Sequence, residues 1–240
     1  TIIKVADKIW EPFKSSSERI FSISRKIYKS INGDTLIFKE INKDLNLTFS
    51  YTWSTSEKYG FIRRAKLVNL GSENVAITIV DGLSDFLASG VDDRTHLAYS
   101  CLTDAYKVSE LESAKQMLVH RMVASLVDEA IPLECLKASV LWSYGWEDSS
   151  ILIQQADVEE FLQNPGFEST QFSRGLRGCF YNAGSFQLGT KETKSWSIVA
   201  DIDKTQSEVA ALAIALENKD ALWESVTQDI AEGRNALEEL

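Results

Sequence analysis

Alternation of apolar and polar residues over 35–80 predicts four consecutive β-strands joined by short turns. The clearest strand has four large apolar side chains on one face, Leu47, Phe49, Tyr51 and Trp53, and three hydroxyl side chains on the other, Thr48, Ser50 and Thr52. We expect Tyr51 and Trp53 to point into a core and the hydroxyl face to contact water. Strands connected this closely pair antiparallel, so the segment predicts the opening of a β-sandwich.

Further strands are predicted downstream of this meander. The run 117–127 is apolar on both faces, as expected of a central strand covered on both sides. Additional strands are predicted at 136–142, 151–153, 178–188 and 194–201. The two long intervening stretches, 81–115 and 147–178, are predicted to be irregular connections with a functional or interface role.

The hydrophobic period changes from strand to helix near residue 205. Thr205 and Glu208 form a capping-box pattern that predicts a helix start, and Asp220 is expected to cap a second helix. Leu222, Val226, Ile230 and Leu237 form an apolar stripe on that second helix. We therefore predict a β-sandwich domain over 1–203 and a helical linker over 204–240. The stripe should lie against the sandwich, a second copy of the chain or a further domain.

Composition excludes several classes of protein. The 240 residues are 44% hydrophobic and 25% charged, which is ordinary for a soluble globular chain. No stretch is long and apolar enough to span a membrane, and the first residues show no leader pattern, so we expect a cytoplasmic protein without a membrane partner. The formal charge of −10 argues against a nucleic-acid partner.

The sequence contains no recognisable metal-binding or catalytic motif. Cys101, Cys135 and Cys179 are widely spaced and odd in number, which predicts buried thiols rather than a zinc site or a disulfide framework. We expect no cofactor, no metal site and no catalytic residue in this chain. Of the two histidines, His120 should be a hydrogen-bonded strand residue, whereas His96 should lie in a loop where it could contact a ligand.

Three aromatic residues follow one another at the end of a predicted strand. Trp142, Tyr144 and Trp146 lead into a long connection, where their rings could pack against a neighbouring domain or stack on a sugar. A place in the core is the remaining alternative. These three residues and His96 are the candidate carbohydrate or interface contacts.

Several phrases along the chain resemble the N-terminal region of cellobiose phosphorylase-like proteins. They are Asn32-Gly33-Asp34, Phe38-Lys-Glu-Ile-Asn42, Phe49-Ser-Tyr-Thr-Trp-Ser-Thr-Ser-Glu-Lys-Tyr-Gly-Phe61, Leu67-Val-Asn69, Asp81-Gly82, Asp104-Ala-Tyr-Lys107, Lys137-Ala-Ser-Val-Leu-Trp-Ser143 and Trp196-Ser-Ile-Val-Ala-Asp201. The resemblance extends over nearly the whole chain, and none of these phrases is a catalytic motif.

The resemblance implies a large galactose-mutarotase-like β-sandwich that leads through a helical linker into a helical-barrel domain bearing the catalytic acid. This chain then corresponds to the sandwich and the linker of a glycoside phosphorylase or glycosyltransferase-like enzyme. Its implied partners are the catalytic barrel, an oligosaccharide or disaccharide, and a second copy in a homo-oligomer. A stand-alone carbohydrate-binding module and a mutarotase-like sugar epimerase remain the alternatives.

Overall fold

Two antiparallel β-sheets form the greater part of the computed structural model, which describes residues 1–91, 93–124 and 135–239. The strands are β1 (Ile2–Val5), β2 (Lys8–Trp10), β3 (Ile23–Lys29), β4 (Thr35–Asn42), β5 (Leu47–Ser56), β6 (Gly60–Asn69), β7 (Val75–Phe86), β8 (Lys107–Glu112), β9 (Met117–Met122), β10 (Lys137–Tyr144), β11 (Ser150–Leu152), β12 (Phe172–Arg174), β13 (Gly178–Leu188) and β14 (Thr193–Thr205). The helices are α1 (Asp93–Ala98), α2 (Ser100–Ala105), α3 (Gln155–Gln163), α4 (Gln206–Ala215) and α5 (Lys219–Glu238).

The strand order confirms the predicted fold class, a mainly β chain with packed antiparallel sheets and C-terminal helices. The larger sheet has nine strands in the order β12-β8-β9-β10-β14-β6-β5-β4-β3, and the smaller has five in the order β11-β13-β7-β1-β2. The meander β4-β5-β6 pairs in regular register, with Phe38 opposite Tyr51 and Tyr51 opposite Ala65.

The main core lies between the two sheets. Phe49 and Leu67 of the larger sheet pack in one cluster with Ile3 and Ile79 of the smaller sheet, and all four side chains are buried. Because side chains alternate along a strand, every second residue of β5 and β6 faces this inner side. The other residues face an outer side, part of which α4 and α5 cover.

A buried ion pair crosses between the sheets within this core. Arg63 of β6 donates from Nη1 and Nη2 to the two carboxylate oxygens of Asp81 on β7, at 2.6 and 2.8 Å. Trp196 Nε1 donates to the same carboxylate at 2.7 Å. Burial alone would raise the pKa of Asp81, but the Arg63 cation outweighs burial and the pKa is lowered. The carboxylate is therefore charged and fully engaged inside the core.

Helix α5 covers the outer face of the larger sheet. Leu222, Val226 and Ile230 are buried in one cluster with residues of β6, β10 and β14, so the predicted stripe packs on the sandwich. Leu237 is 44% exposed and does not take part. The hydroxyl face of β5 lies partly beneath this helix, where Ser56 donates a hydrogen bond to Asp229. Thr48 is buried whereas Ser50 and Thr52 are partly exposed, so the predicted water-facing side is present only in part.

The helix starts agree with the predicted pattern at one of two positions. The capping box between Thr205 and Glu208 is present. The second helix is capped by Asn218, whose side chain accepts from the amide of Ala221 at 3.2 Å, and not by Asp220, which lies in its first turn. Strand β14 runs to residue 205, close to the predicted boundary after 203, and the division into two domains stays a prediction.

Both segments predicted to be irregular contain regular elements. Strand β7 continues past Gly82 to Phe86, and α1, α2 and β8 follow before residue 115. The segment 147–178 contains β11, α3 and β12. Strand β9 is central, as expected, but ends at Met122, and residues 125–127 of the predicted strand lie outside the described residues.

Two further sequence expectations can be compared with the described residues. Cys179 is buried, but Cys101 is exposed and Cys135 is intermediate, so the prediction of three buried thiols was wrong. Among the described helices, none combines the length and the apolarity that crossing a membrane would require.

Candidate functional site

The structure separates the three candidate aromatic residues. Trp142 and Tyr144 point outward from β10, and both contact Trp223 of α5: Trp142 meets it edge-on at 6.5 Å, and Tyr144 stacks on it at 4.7 Å. Gly145, at φ 85°, then turns the chain so that Trp146 enters the core between the sheets. Trp146 packs there against Trp196 at 5.3 Å. The three rings therefore do not form one platform.

Tyr144 is the most accessible of the three rings. Its hydroxyl donates to Asp220 at 2.9 Å, and this hydrogen bond raises the pKa of Tyr144. The guanidinium of Arg64 lies 4.9 Å from the centre of the Trp223 ring, on which Tyr144 stacks. Trp142 and Trp146 are 1% and 5% exposed, so nearly all of the surface of each ring is covered by other residues of this chain. A carbohydrate or interface role for these residues stays a prediction.

His96 was predicted to lie in a loop, but it lies on the short helix α1. Its Nδ1 is 3.5 Å from the hydroxyl of Thr103 on α2. This helical pair is not among the groups that pack around Trp142 or Trp146. The four candidate contacts are thus distributed over three separate places in the fold.

A concave cavity of about 540 Å³ lies at one end of the inner face of the larger sheet. The smaller sheet does not extend over this end of the larger sheet. The walls of the cavity are formed by side chains of the face that, elsewhere along the sheet, packs in the core. Leu36, Trp53 and Phe61 come from the adjacent strands β4, β5 and β6, and Leu141 and Ala200 come from β10 and β14. Phe86, at the end of β7, closes one side.

Trp53 accordingly lies in a cavity wall rather than in the core that its alternation pattern predicted. Tyr51 is half-buried at the margin of the core, where Arg63 lies over its ring at 4.5 Å. Leu36 and Phe61 are 37% and 51% exposed. The inner face therefore changes from a covered core to an open apolar surface along the length of β5.

The charged groups at the cavity are held by partners within the chain. Asp34 accepts from Ser30 at 2.5 Å and from Arg234 at 2.8 Å, and these hydrogen bonds lower the pKa of Asp34 to about 2. Asp201 forms an ion pair with Lys204 at 2.6 Å. The cavity thus offers apolar contact and little unpaired charge.

A second cleft, of about 620 Å³, has a polar and charged lining. Arg177 donates to Asp104 at 3.2 Å and lies 3.6 Å from Asp85. Asp85 has a left-handed φ of 57° opposite an irregularity in the pairing of β7 with β13. Such bulges redirect side chains at the ends of strands. Arginine and carboxylate groups in one cleft could bond sugar hydroxyl groups.

Behind this cleft lies a group of buried polar residues. Lys107 is 1% exposed and donates to Asp104 at 2.6 Å. His120 is fully buried on β9, with Nδ1 2.8 Å from the Ser109 hydroxyl, as expected of a strand histidine, and its Nε2 has no partner among the described residues. Burial and the nearby Lys107 cation lower the pKa of His120 to about 4.

This arrangement does not provide a general acid and base that face a substrate. A mutarotase-like reaction needs an accessible histidine and carboxylate in one cleft. His120 is fully buried, and the buried Glu40 is already bonded to Trp10 at 2.7 Å and to Arg25 at 2.5 Å. Within the described part of the chain, no group of three or more His, Cys, Asp or Glu side chains could hold a metal ion.

Comparison with solved structures shows the fold. A bacterial glucoamylase complexed with acarbose matches 96% of this chain and 30% of its own length, with a TM-score of 0.53 and 12% identity. A candidate kojibiose phosphorylase from the human microbiome matches 99% of this chain and 27% of its own, with a TM-score of 0.51 and 9% identity. This chain therefore corresponds to less than a third of each enzyme.

Comparison of the sequence with protein-family models and with curated proteins did not assign this chain to a family. No protein-family model matches the chain, and a search of curated proteins found no significant match. The structural neighbours are carbohydrate-active enzymes, and the likeness at this identity concerns the fold alone.

Proposed function

We propose that this chain is the non-catalytic N-terminal β-sandwich region of a carbohydrate-active enzyme resembling the glycoside phosphorylases. In this proposal it packs on a helical-barrel catalytic domain, in the same or another chain, and shapes the sugar site or a subunit interface. The supporting observation is the match of nearly all of this chain to about 30% of a glucoamylase. The sequence resemblance to cellobiose phosphorylase-like proteins favours a phosphorylase.

The carboxylates of the charged cleft are held by basic side chains, which supports a non-catalytic role for this cleft. Glycoside cleavage generally uses two carboxyl groups on either side of the scissile bond. In the charged cleft, Asp104 is bonded to Lys107 and Arg177, which stabilises its ionised form against protonation. A carboxylate held in this way is a poor general acid.

Activity measurements and the gene sequence test this proposal together. Purified chain should release neither glucose nor glucose 1-phosphate from kojibiose, maltose or cellobiose, with and without inorganic phosphate, while a glucoamylase control cleaves maltose. The coding sequence that follows Leu240, or an adjacent gene, should encode a helical barrel whose activity requires co-expression with this chain. Turnover by the purified chain that a point substitution within it abolishes would contradict the proposal.

The charged cleft favours a carbohydrate-binding module as a second candidate. Arg177 is 48% exposed by side chain and lies beside two carboxylates, so its remaining N–H groups can meet a sugar hydroxyl. Calorimetric titration with the same disaccharides should then give a signal that Arg177→Ala removes and Arg174→Ala, an exposed change on β12, retains. Absence of binding to the unaltered chain would eliminate this candidate.

A further inference from the structure

The concave cavity has the properties of a binding site for an apolar ligand. Its volume of about 540 Å³ falls within the range of small-molecule sites, roughly 300–1,000 Å³. Trp53, Phe61 and Phe86 supply aromatic surfaces on different sides, and Leu141 and Ala200 form the floor. An exposed face of an antiparallel sheet is normally polar, so this composition is unusual for a surface that only meets water.

The polar groups of the lining indicate what the ligand is not. Asp34 and Asp201 are in ion pairs with Arg234 and Lys204. Ser139, on the floor, donates its hydroxyl proton to the carbonyl of Leu87 at 2.9 Å. A sugar placed here would meet groups that are already engaged within the chain, and each of its hydroxyls left without a partner would weaken binding substantially.

Thr55 offers a polar group at the rim of the cavity. Thr55 is exposed at the rim, on the same face of β5 as Trp53, and its hydroxyl makes no hydrogen bond within the described residues. It can donate or accept one hydrogen bond from a ligand whose rings lie against Trp53 and Phe61.

We propose that this cavity binds an uncharged aromatic ligand of about 10 to 15 non-hydrogen atoms that carries a single hydrogen-bonding group, a size appropriate to a small-molecule site. The aromatic aglycone of a glycoside belongs to this chemical class. The inference depends on the cavity alone and does not require that the chain be part of a larger enzyme.

Titration with 2-naphthol, which is neutral at pH 7, tests the proposal by calorimetry or equilibrium dialysis. We expect one site per chain with a dissociation constant of about 10–500 µM, in keeping with the affinity available to so small a ligand. Thr55→Trp should place an indole in the cavity mouth and weaken binding at least about tenfold, which is the effect of losing most of the apolar contact.

Thr193→Trp is the matched control, because it introduces the same ring at an exposed position. Thr193 is the first residue of β14, whereas the cavity residues of that strand lie toward its other end. The control should leave the affinity unchanged, and both variants should melt within a few degrees of the parent chain. Ala200→Phe, which fills the floor, should repeat the effect of the first variant. Lack of 2-naphthol binding, equal affinity in parent and filled variants, or displacement of 2-naphthol by a disaccharide would each overturn the proposal.

Discussion

Replacing Val226 with Asp should detach helix α5 from the outer face of the larger sheet. Val226 is 0% exposed and packs in the cluster that contains Ile62, Trp142 and Val199. The substitution removes burial that stabilises the docked helix by about 1.5–3 kcal/mol. It also places a carboxylate among apolar side chains without a partner, at a cost of several kcal/mol more.

Opening of the helix is the less costly response to this change. In the variant, undocking exposes Leu222 and Ile230, whose burial together contributes about 3–6 kcal/mol before the entropy gained by the released helix is subtracted. The core between the sheets is a separate cluster and does not contain these residues. We therefore expect local release of α5 with the sandwich still folded.

Hydrogen exchange measured by mass spectrometry distinguishes local release from global unfolding. Peptides from 219–238 should lose protection in Val226→Asp while peptides from 47–56 keep theirs, and light scattering should show whether the exposed stripe causes association. Leu237→Asp is the matched control, because it makes a similar change at a 44% exposed position of the same helix. Its effect should stay within about 0.5 kcal/mol. Unchanged protection of α5 in Val226→Asp would refute the reasoning.

Three further changes test the interior of the sandwich. Asp81→Asn should lower the free energy of unfolding by about 3–5 kcal/mol in urea titrations, because Arg63 remains buried without its counter-ion. His120 has a pKa of about 4 in the folded chain and 6.5 in the unfolded chain, so the unfolded state binds more protons between these two pH values. The free energy of unfolding should therefore fall by about 3 kcal/mol as the pH drops from 6.5 to 4. Gly82→Ala should destabilise the chain by more than about 2 kcal/mol, because the new Cβ would lie 2.0 Å from a backbone oxygen of β13. Gly233→Ala in α5 places a Cβ where nothing lies within 4 Å, and it should stabilise the chain by about 0.5–1 kcal/mol.

Matched variants make these three results interpretable. Asp85→Asn changes a carboxylate whose side chain is 63% exposed and should cost less than about 0.5 kcal/mol. His120→Gln should remove most of the stability slope between pH 4 and 6.5, and His96→Gln should retain it. A loss below about 1 kcal/mol in Asp81→Asn, an unchanged slope in His120→Gln, or equal stability of the two glycine variants would contradict the respective argument.

Local patterns were sufficient to predict the elements whose cause is local. Alternation over 35–80 predicted β4 to β7 because one face of each of these strands is largely apolar. The capping box at Thr205 predicted the start of α4 because its hydrogen bonds involve residues three apart. The stripe from Leu222 to Ile230 predicted a buried face in the same way.

Elements stabilised by distant residues could not be predicted in this way. Strand β8 begins with Lys107, a charged residue whose burial is possible only because Asp104 lies beside it. The end of β7 contains Gly82, which is a turn signal in sequence but is needed here for close approach to Phe180 on β13. The segment 81–115 was predicted to be irregular because the partners of both residues are contributed by tertiary structure.

The cavity was missed for a related reason. Alternation shows which residues share a face but not how far a second sheet extends over that face. Phe49 and Trp53 lie on the same side of β5, yet the first is fully buried and the second lines an open cavity.

The cavity and the docked helix lie on opposite faces of one sheet, and Arg234 of α5 reaches a residue of the cavity wall. Arg234 of α5 donates to Asp34 at 2.8 Å and to Thr35 at 3.2 Å, so the end of the helix neutralises a carboxylate at the cavity. Arg234 is 46% exposed, and an ion pair of this exposure is worth about 0–1 kcal/mol. Arg234→Ala should therefore weaken 2-naphthol binding by no more than about fivefold, which corresponds to that free energy. A loss as large as that expected from Thr55→Trp would show instead that the docked helix determines the shape of the cavity.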